Sequence, residues 1–148
     1  MSGKSSFGAV LEWYDAANGA WVAVGSVGDI DGPALELGTE DATTHDSPGG
    51  WEEKVPTTLS GGEVSFEIGW IPSSASHAWG EAGGLPYMAI QRQVQKFRLI
   101  PPDPDYTNKA LEFNALVTKF KPKLPVKGKM QADVTLEITG PVTEVSTQ

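Results

Sequence analysis

The chain has no cysteine and only two histidines in 148 residues. Without thiols there is no disulfide, no thiolate nucleophile and no cysteine-based zinc site, and the redox compartment is left open. A metal centre would have to lean on carboxylates. Long apolar runs are missing too. Nothing approaches the roughly 20 residues of a membrane span, and the start MSGKSSFGAV lacks the apolar core of a secretory signal. The expectation is a soluble protein made in the cytoplasm, with no membrane insertion. Bases are scarce: 11 Lys and Arg stand against 19 Asp and Glu, a net charge of −8. That balance argues against gripping nucleic acid, because duplex binding depends on Lys and Arg neutralising phosphates. It does not argue against a protein past which DNA slides.

What is abundant is punctuation. Seventeen glycines and 11 prolines, spread along the chain, interrupt it too often for long helices and favour short strands with turns. The length suits one β-rich domain over residues 1–148, with frayed ends expected at 1–6 and 141–148. Charge is polarised: residues 1–90 hold 13 acids and two bases, a net of −11, while residues 91–148 hold nine bases and six acids, a net of +3. Such polarity steers association between copies of one chain.

SSFGAVLEWYDAANGAWVAVGSV alternates Phe7, Ala9, Leu11 and Trp13 against Gly8, Val10, Glu12 and Tyr14 around Asn18-Gly19, which predicts a hairpin. GDIDGP, Gly28 to Pro33, reads as a turn cluster, and ALELGTEDATTH as a strand with one wet face. DSPGGWEEKVPTTLSGG, rich in Pro, Gly and charge, reads as a long excursion ending in a turn. In EVSFEIGWI, Val64, Phe66, Ile68 and Trp70 share one face. Leu85-Pro86 followed by good helix formers predicts one short helix near 85–93. VQKFRLIPP returns to strand. KALEFNALVTKFKPKLP is apolar on both faces in places, which predicts a sandwiched strand or one that meets a second subunit. MQADVTLEITG alternates most cleanly, with Met130, Ala132, Val134, Leu136 and Ile138 inward and Gln131, Asp133, Thr135, Glu137 and Thr139 outward. The tail PVTEVSTQ reads as frayed.

His45-Asp46-Ser47 suggests a nucleophilic triad, but three consecutive residues of an extended chain point in alternating directions, and no G-x-S-x-G elbow is present. Local backbone hydrogen bonding before Pro48 accounts for it better. His45 and His77 are far apart and neither sits in a zinc-binding frame. Five tryptophans, Trp13, Trp21, Trp51, Trp70 and Trp79, make a β-sandwich carbohydrate-binding module the main rival from another class, although such residues are more often core or interface. KFKPKLPVKGK, with Lys119, Lys121, Lys123, Lys127 and Lys129, fits a solvated hairpin end or a surface complementary to an acidic partner better than a nucleic-acid patch. The chain's own loop, with Glu40, Asp41, Asp46, Glu52 and Glu53, is the acidic partner at hand.

The run ELGTEDATTHDSPGGWEEKVPTTLSGGEVSFEIGW resembles the major tail protein, or tail tube protein, family of long-tailed bacteriophages: a strand into a T-T-x-D-S-like segment, a long loop, a G-x-x-x-G-x-V-S type re-entry and a second strand. VQKFRLIPPDPDY with ALEFNALVTKF, and MQADVTLEITGPVT, are similar to later strands of that family, in the same order. The resemblance covers about residues 30–145; SSASHAWGEAGG departs from it. It implies a mainly β, sandwich or barrel-like tail tube fold with one short flanking α-helix. It also implies a non-enzymatic virion protein without cofactor, assembled as stacked hexameric rings, whose partners are itself, the tape measure protein, other tail proteins and transiently passing DNA. The expected lumen-facing acids are Glu36, Glu40, Glu63, Glu67, Asp133 and Glu137. The expected inter-subunit loop is Glu40, Asp41, Thr43, Thr44, His45, Asp46, Ser47, Trp51, Glu52 and Glu53, meeting the five lysines of Lys119–Lys129.

Overall fold

A computed structural model describes residues 8–147 except 26, 82, 104 and 107. Phe7 and the N-terminal residues 1–6 expected to fray lie outside the described residues. The predicted hairpin is β1 (Val10–Asp15) and β2 (Ala20–Ala23), turned by Gly19 at φ 63° and closed by the Asn18 side-chain amide donating to Asp15 at 2.7 Å. The expected turn cluster at Gly28–Pro33 is instead largely strand: β3 (Val27–Asp31) pairs antiparallel with β6 (Glu63–Gly69). Its acids and glycine disguise two apolar side chains, Val27 and Ile30, that pack against the core.

β7 (Val94–Ile100), β8 (Lys109–Lys123) and β9 (Gln131–Ser146) complete an antiparallel sheet in the order β2-β1-β7-β8-β9-β6-β3. The two edge strands, β2 and β3, are consecutive in the chain and separated only by residues 24–26. One continuous stretch therefore serves both edges, and the sheet has to curl until those edges nearly meet. The result is barrel-like, which removes most of the open-edge problem.

The corner between β2 and β3 is pinned from inside. Ile71 N–H donates to His77 Nδ1 at 3.1 Å, so Nε2 carries the ring proton and donates to Gly25 O at 2.7 Å. Gly25 N–H donates to Ser76 Oγ at 3.2 Å. His77 is a buried structural clamp.

Inside the curl lie Leu11, Val64, Ile68, Phe97, Phe113, Val134 and Leu136, with Phe97 and Phe113 stacked at 6.1 Å. The predicted helix is α1 (Leu85–Ile90), which lies against β8 and buries Leu85 and Met88 fully. The expected inner row of β9 holds for Ala132, Val134 and Leu136; Met130 is exposed. β9 does not fray at Pro141. Gly140, Pro141 and Val142 bulge opposite Phe113, and pairing resumes from Thr143↔Glu112 to Ser146↔Lys109. Polarity alone suggested a loose tail, but strand pairing needs backbone partners, and the start of β8 offers them.

β4 (Glu36–Asp41) and β5 (Lys54–Ser60) form a separate two-stranded sheet. The long excursion is thus a β-hairpin arm, and β4 has no dry face: every residue of both strands but Gly38 is exposed. Val55, Thr57, Thr58 and Leu59 are good strand formers whose signal the neighbouring Pro and Gly masked.

Candidate assembly surface

The arm leaves the body through a close approach. Gly32, at φ 112°, lies so near β6 that a Cβ there would come 2.3 Å from Glu63 O. Ala34 N–H donates to Gly61 O at 2.9 Å, and a Cβ on Gly61 would meet methyls of Ile138 and Val142 at 2.7 and 2.8 Å. The root is tightly seated beside β9, whereas the rest stands in solvent with Leu35, Leu37, Val55 and Leu59 exposed.

At the tip, the Ser47 hydroxyl and the Asp46 backbone, from the stretch that suggested a catalytic cluster, help to hold a turn. Thr44 N–H donates to Ser47 Oγ at 2.9 Å, Asp46 N–H to Thr44 Oγ1 at 3.2 Å, and Ser47 N–H to Thr44 O at 3.1 Å. Thr43 ties the two strands: Glu53 N–H donates to its Oγ1 at 2.8 Å, and its own N–H donates to Asp41 Oδ1 at 2.9 Å. Hydrogen bonds from the Thr43 hydroxyl first and its backbone N–H second hold the Asp41 carboxyl below its ordinary value, with Lys54 adding a smaller pull. His45 is exposed and distant in sequence from the buried His77, and no group of three metal-ligating side chains occurs among the described residues.

The outer face of the sheet gathers most of the remaining candidates. Glu63 stands opposite Glu137 and Glu67 opposite Asp133 across β6 and β9. Glu36 joins Glu63 and Glu137 around an open groove at the arm root. Glu40 is separated from them, near the arm tip. Asp29 and Asp31, hidden in the sequence by the turn reading of β3, border the same face.

Lysines share that face instead of forming a surface apart. Lys119, Lys121 and Lys123 stand opposite Thr135, Asp133 and Gln131 on β9. The Lys123 ammonium lies 2.8 Å from Asp133. Through that hydrogen bond first and charge second, Lys123 is held above its ordinary value; the same bond to Lys123 holds Asp133 below its own, with Lys119 and Lys121 helping. Lys127 and Lys129 lie beyond the strand, in the β8–β9 connection.

The other half of the outer face is charge-balanced within the chain, a feature sequence reading missed. Arg98 pairs with Glu12 and lies over Trp21 at 4.2 Å; Lys96 pairs with Glu112 at 3.8 Å and lies over Tyr14 at 5.5 Å. The tryptophans form no common platform: Trp13 is buried, Trp21 sits under Arg98, Trp70 and Trp79 flank Phe120, and Trp51 is on the arm. No helix among the described residues is long and apolar enough to cross a membrane.

No protein-family model and no curated protein matches the sequence. Solved structures do match. The tail of an empty gene transfer agent particle, obtained by helical refinement with C6 symmetry, superposes with a TM-score of 0.77 over 97% of this chain and 100% of its own, at 13% identity. The SPP1 tail tube gives 0.68 over 93% of this chain and 76% of its own, at 12% identity.

The chain has the tail-tube fold.

A second gene transfer agent structure, the virion of the native particle, agrees at a TM-score of 0.70 and 14% identity, covering 93% of this chain and 95% of that one. Here the tail-tube fold carries two displays: an arm with apolar side chains in water, and a sheet face on which acids oppose acids. Function lives in such surfaces rather than in the fold itself.

Proposed function

We propose that this protein is a structural component of a phage-like virion tail, polymerising as stacked hexameric rings into a tube that conducts DNA. The observation that carries the reading is the β4–β5 arm on a tail-tube fold. A two-stranded hairpin is marginal alone in water, and this one exposes Leu35 by 76%, Leu59 by 68% and Leu37 by 54%. Its apolar side chains and backbone edges call for a neighbouring subunit. The C6 symmetry of a tail with the same fold supports six-membered rings.

In this reading the outer sheet face, with Glu63, Glu67, Asp133, Glu137 and the adjoining Glu36, turns toward the lumen. A basic wall would hold DNA by counterion release, whereas acids opposed across strands repel it evenly. Lys119, Lys121 and Lys123 keep that repulsion weak by compensating part of it in place. The tape measure protein and other tail proteins are the expected further partners, and Glu40 belongs to the ring contact rather than to the wall.

Negative-stain microscopy and sedimentation of concentrated protein test the proposal directly. Rings or tubes with a central channel are expected. A chain that remains monomeric at all concentrations and binds a glycan would instead fit the carbohydrate-binding alternative, and a tube with a net basic inner wall would remove the conduit argument.

A further inference from the structure

We infer that Trp51, at the arm tip, is the anchor of the contact between copies, and that it seats on the apolar, lysine-rimmed end of the β8–β9 hairpin of a second copy. The inference rests on the tube reading above and gives its ring or stacking contact an apolar centre.

Trp51 is 77% exposed, an unusual position for an indole. It is nevertheless well placed. Trp51 N–H donates to Pro48 O at 3.3 Å, and Gly49, at φ 64°, sits so close that a Cβ there would lie 3.0 Å from the indole Cδ1. One edge of the ring is thus backed by the loop, and the hydroxyl hydrogen bonds of Thr43 and Ser47 hold the tip in shape. A rigid aromatic on a protruding tip loses little freedom on docking. Beside it stand Glu52 and Glu53; Glu52 makes a long, exposed contact to Lys54 at 3.9 Å.

The body offers the matching chemistry. Trp79 packs edge-on to Phe120 at 6.0 Å and remains 54% exposed, and Phe120 meets Trp70 at 6.2 Å. Trp70, Ile71, Met130 and Lys129 border one groove, in which Glu67 supplies a single carboxylate. Lys127 and Lys129 form no ion pair among the described residues, so their charge is available to an acidic visitor.

A second copy is the occupant because both members of the match are present on every chain, yet do not meet within one. Trp51 is exposed on its own chain and is not among the residues that border the groove at Met130 and Gln131. Two different patches joining copy to copy allow a head-to-tail contact, which propagates into a ring or a filament.

The test is the concentration at which the full chain begins to assemble, read by sedimentation velocity. Trp51→Ala should raise it by at least about 30-fold, the effect of losing an interface anchor, and Trp51→Phe should recover most of the loss. Circular dichroism should be unchanged, since Trp51 supports no core. Because the chain has no cysteine, Glu52→Cys and Lys129→Cys copies can be mixed and oxidised; a covalent pair of unlike copies is expected. Trp51→Ala assembling at the wild-type concentration, or tubes that form without the crosslink, would overturn the anchor and leave the tube reading intact. A wild-type chain that never assembles would remove both.

Discussion

Glu67 stands directly opposite Asp133 across the β6–β9 ladder, and Lys123 reaches the Asp133 end of this like-charged pair at 2.8 Å. Opposed carboxylates destabilise a sheet, so the arrangement persists because a neighbouring strand supplies the compensation.

Replacing Lys123 by Gln should therefore lower the monomer's Tm at neutral pH, and Glu67→Gln should raise it, both effects shrinking in high salt because the groups are exposed. Asp133 is held below its ordinary 3.8, so its contribution is present above that value and is lost as pH falls through the depressed folded value. Lys123 is held above its ordinary 10.5, so its contribution is present below that value and is lost as pH rises through the raised folded value. Thermal melts of wild type and Lys123→Gln should thus differ most between these limits and converge at strongly acid pH; a constant difference would place the effect elsewhere.

His77→Ala should destabilise the fold by roughly 2–4 kcal/mol, because it removes the partner of the part-buried Ile71 N–H and Gly25 C=O and opens a void where the buried ring stood. Urea unfolding measures this through the midpoint. A cost under about 1 kcal/mol would mean that Ser76 alone holds the β2–β3 corner.

Gly32→Ala should cost roughly 2 kcal/mol or more, since its positive φ disfavours any side chain and the new methyl would run into Glu63 O. The same melts distinguish it from Gly50→Ala, where the space is open and only the backbone conformation is strained.

Thr43→Val should move the Asp41 carboxyl back up toward its ordinary 3.8, because the Thr43 hydrogen bonds are the main reason it is depressed. An NMR titration of the Asp41 side chain reads this out. The Tm should stay put, as the tip makes no core contact, while assembly should weaken through the loosened tip.

The strands β1, β6, β7, β8 and the first half of β9 were legible because each buries one face, and burial writes a period of two into the residues. β3 and β5 were not. β3 contributes only Val27 and Ile30 to the core amid acids and a glycine, and β5 buries nothing in the single chain, so neither carries the full alternation. Ser47 is the part of the His45-Asp46-Ser47 stretch that shows local turn chemistry, since a hydroxyl bonding to nearby backbone is a short-range matter. That Lys123 belongs to the face of Asp133, rather than to a separate patch, depended on the β8–β9 register and its bulges, which no local pattern specifies.

By itself the sequence determined what local chemistry can determine: a cysteine-free, β-rich chain, acidic in its first part and basic in its last, with one short helix and a tip built of turn residues. Only the tertiary structure decided that β2 and β3 close the sheet from opposite edges, that the long excursion is an arm, and that acids and lysines share one face. The physical reason is range. Periodicity and turn preference act over a few residues, whereas edge pairing, register and charge juxtaposition are settled between strands far apart in the chain.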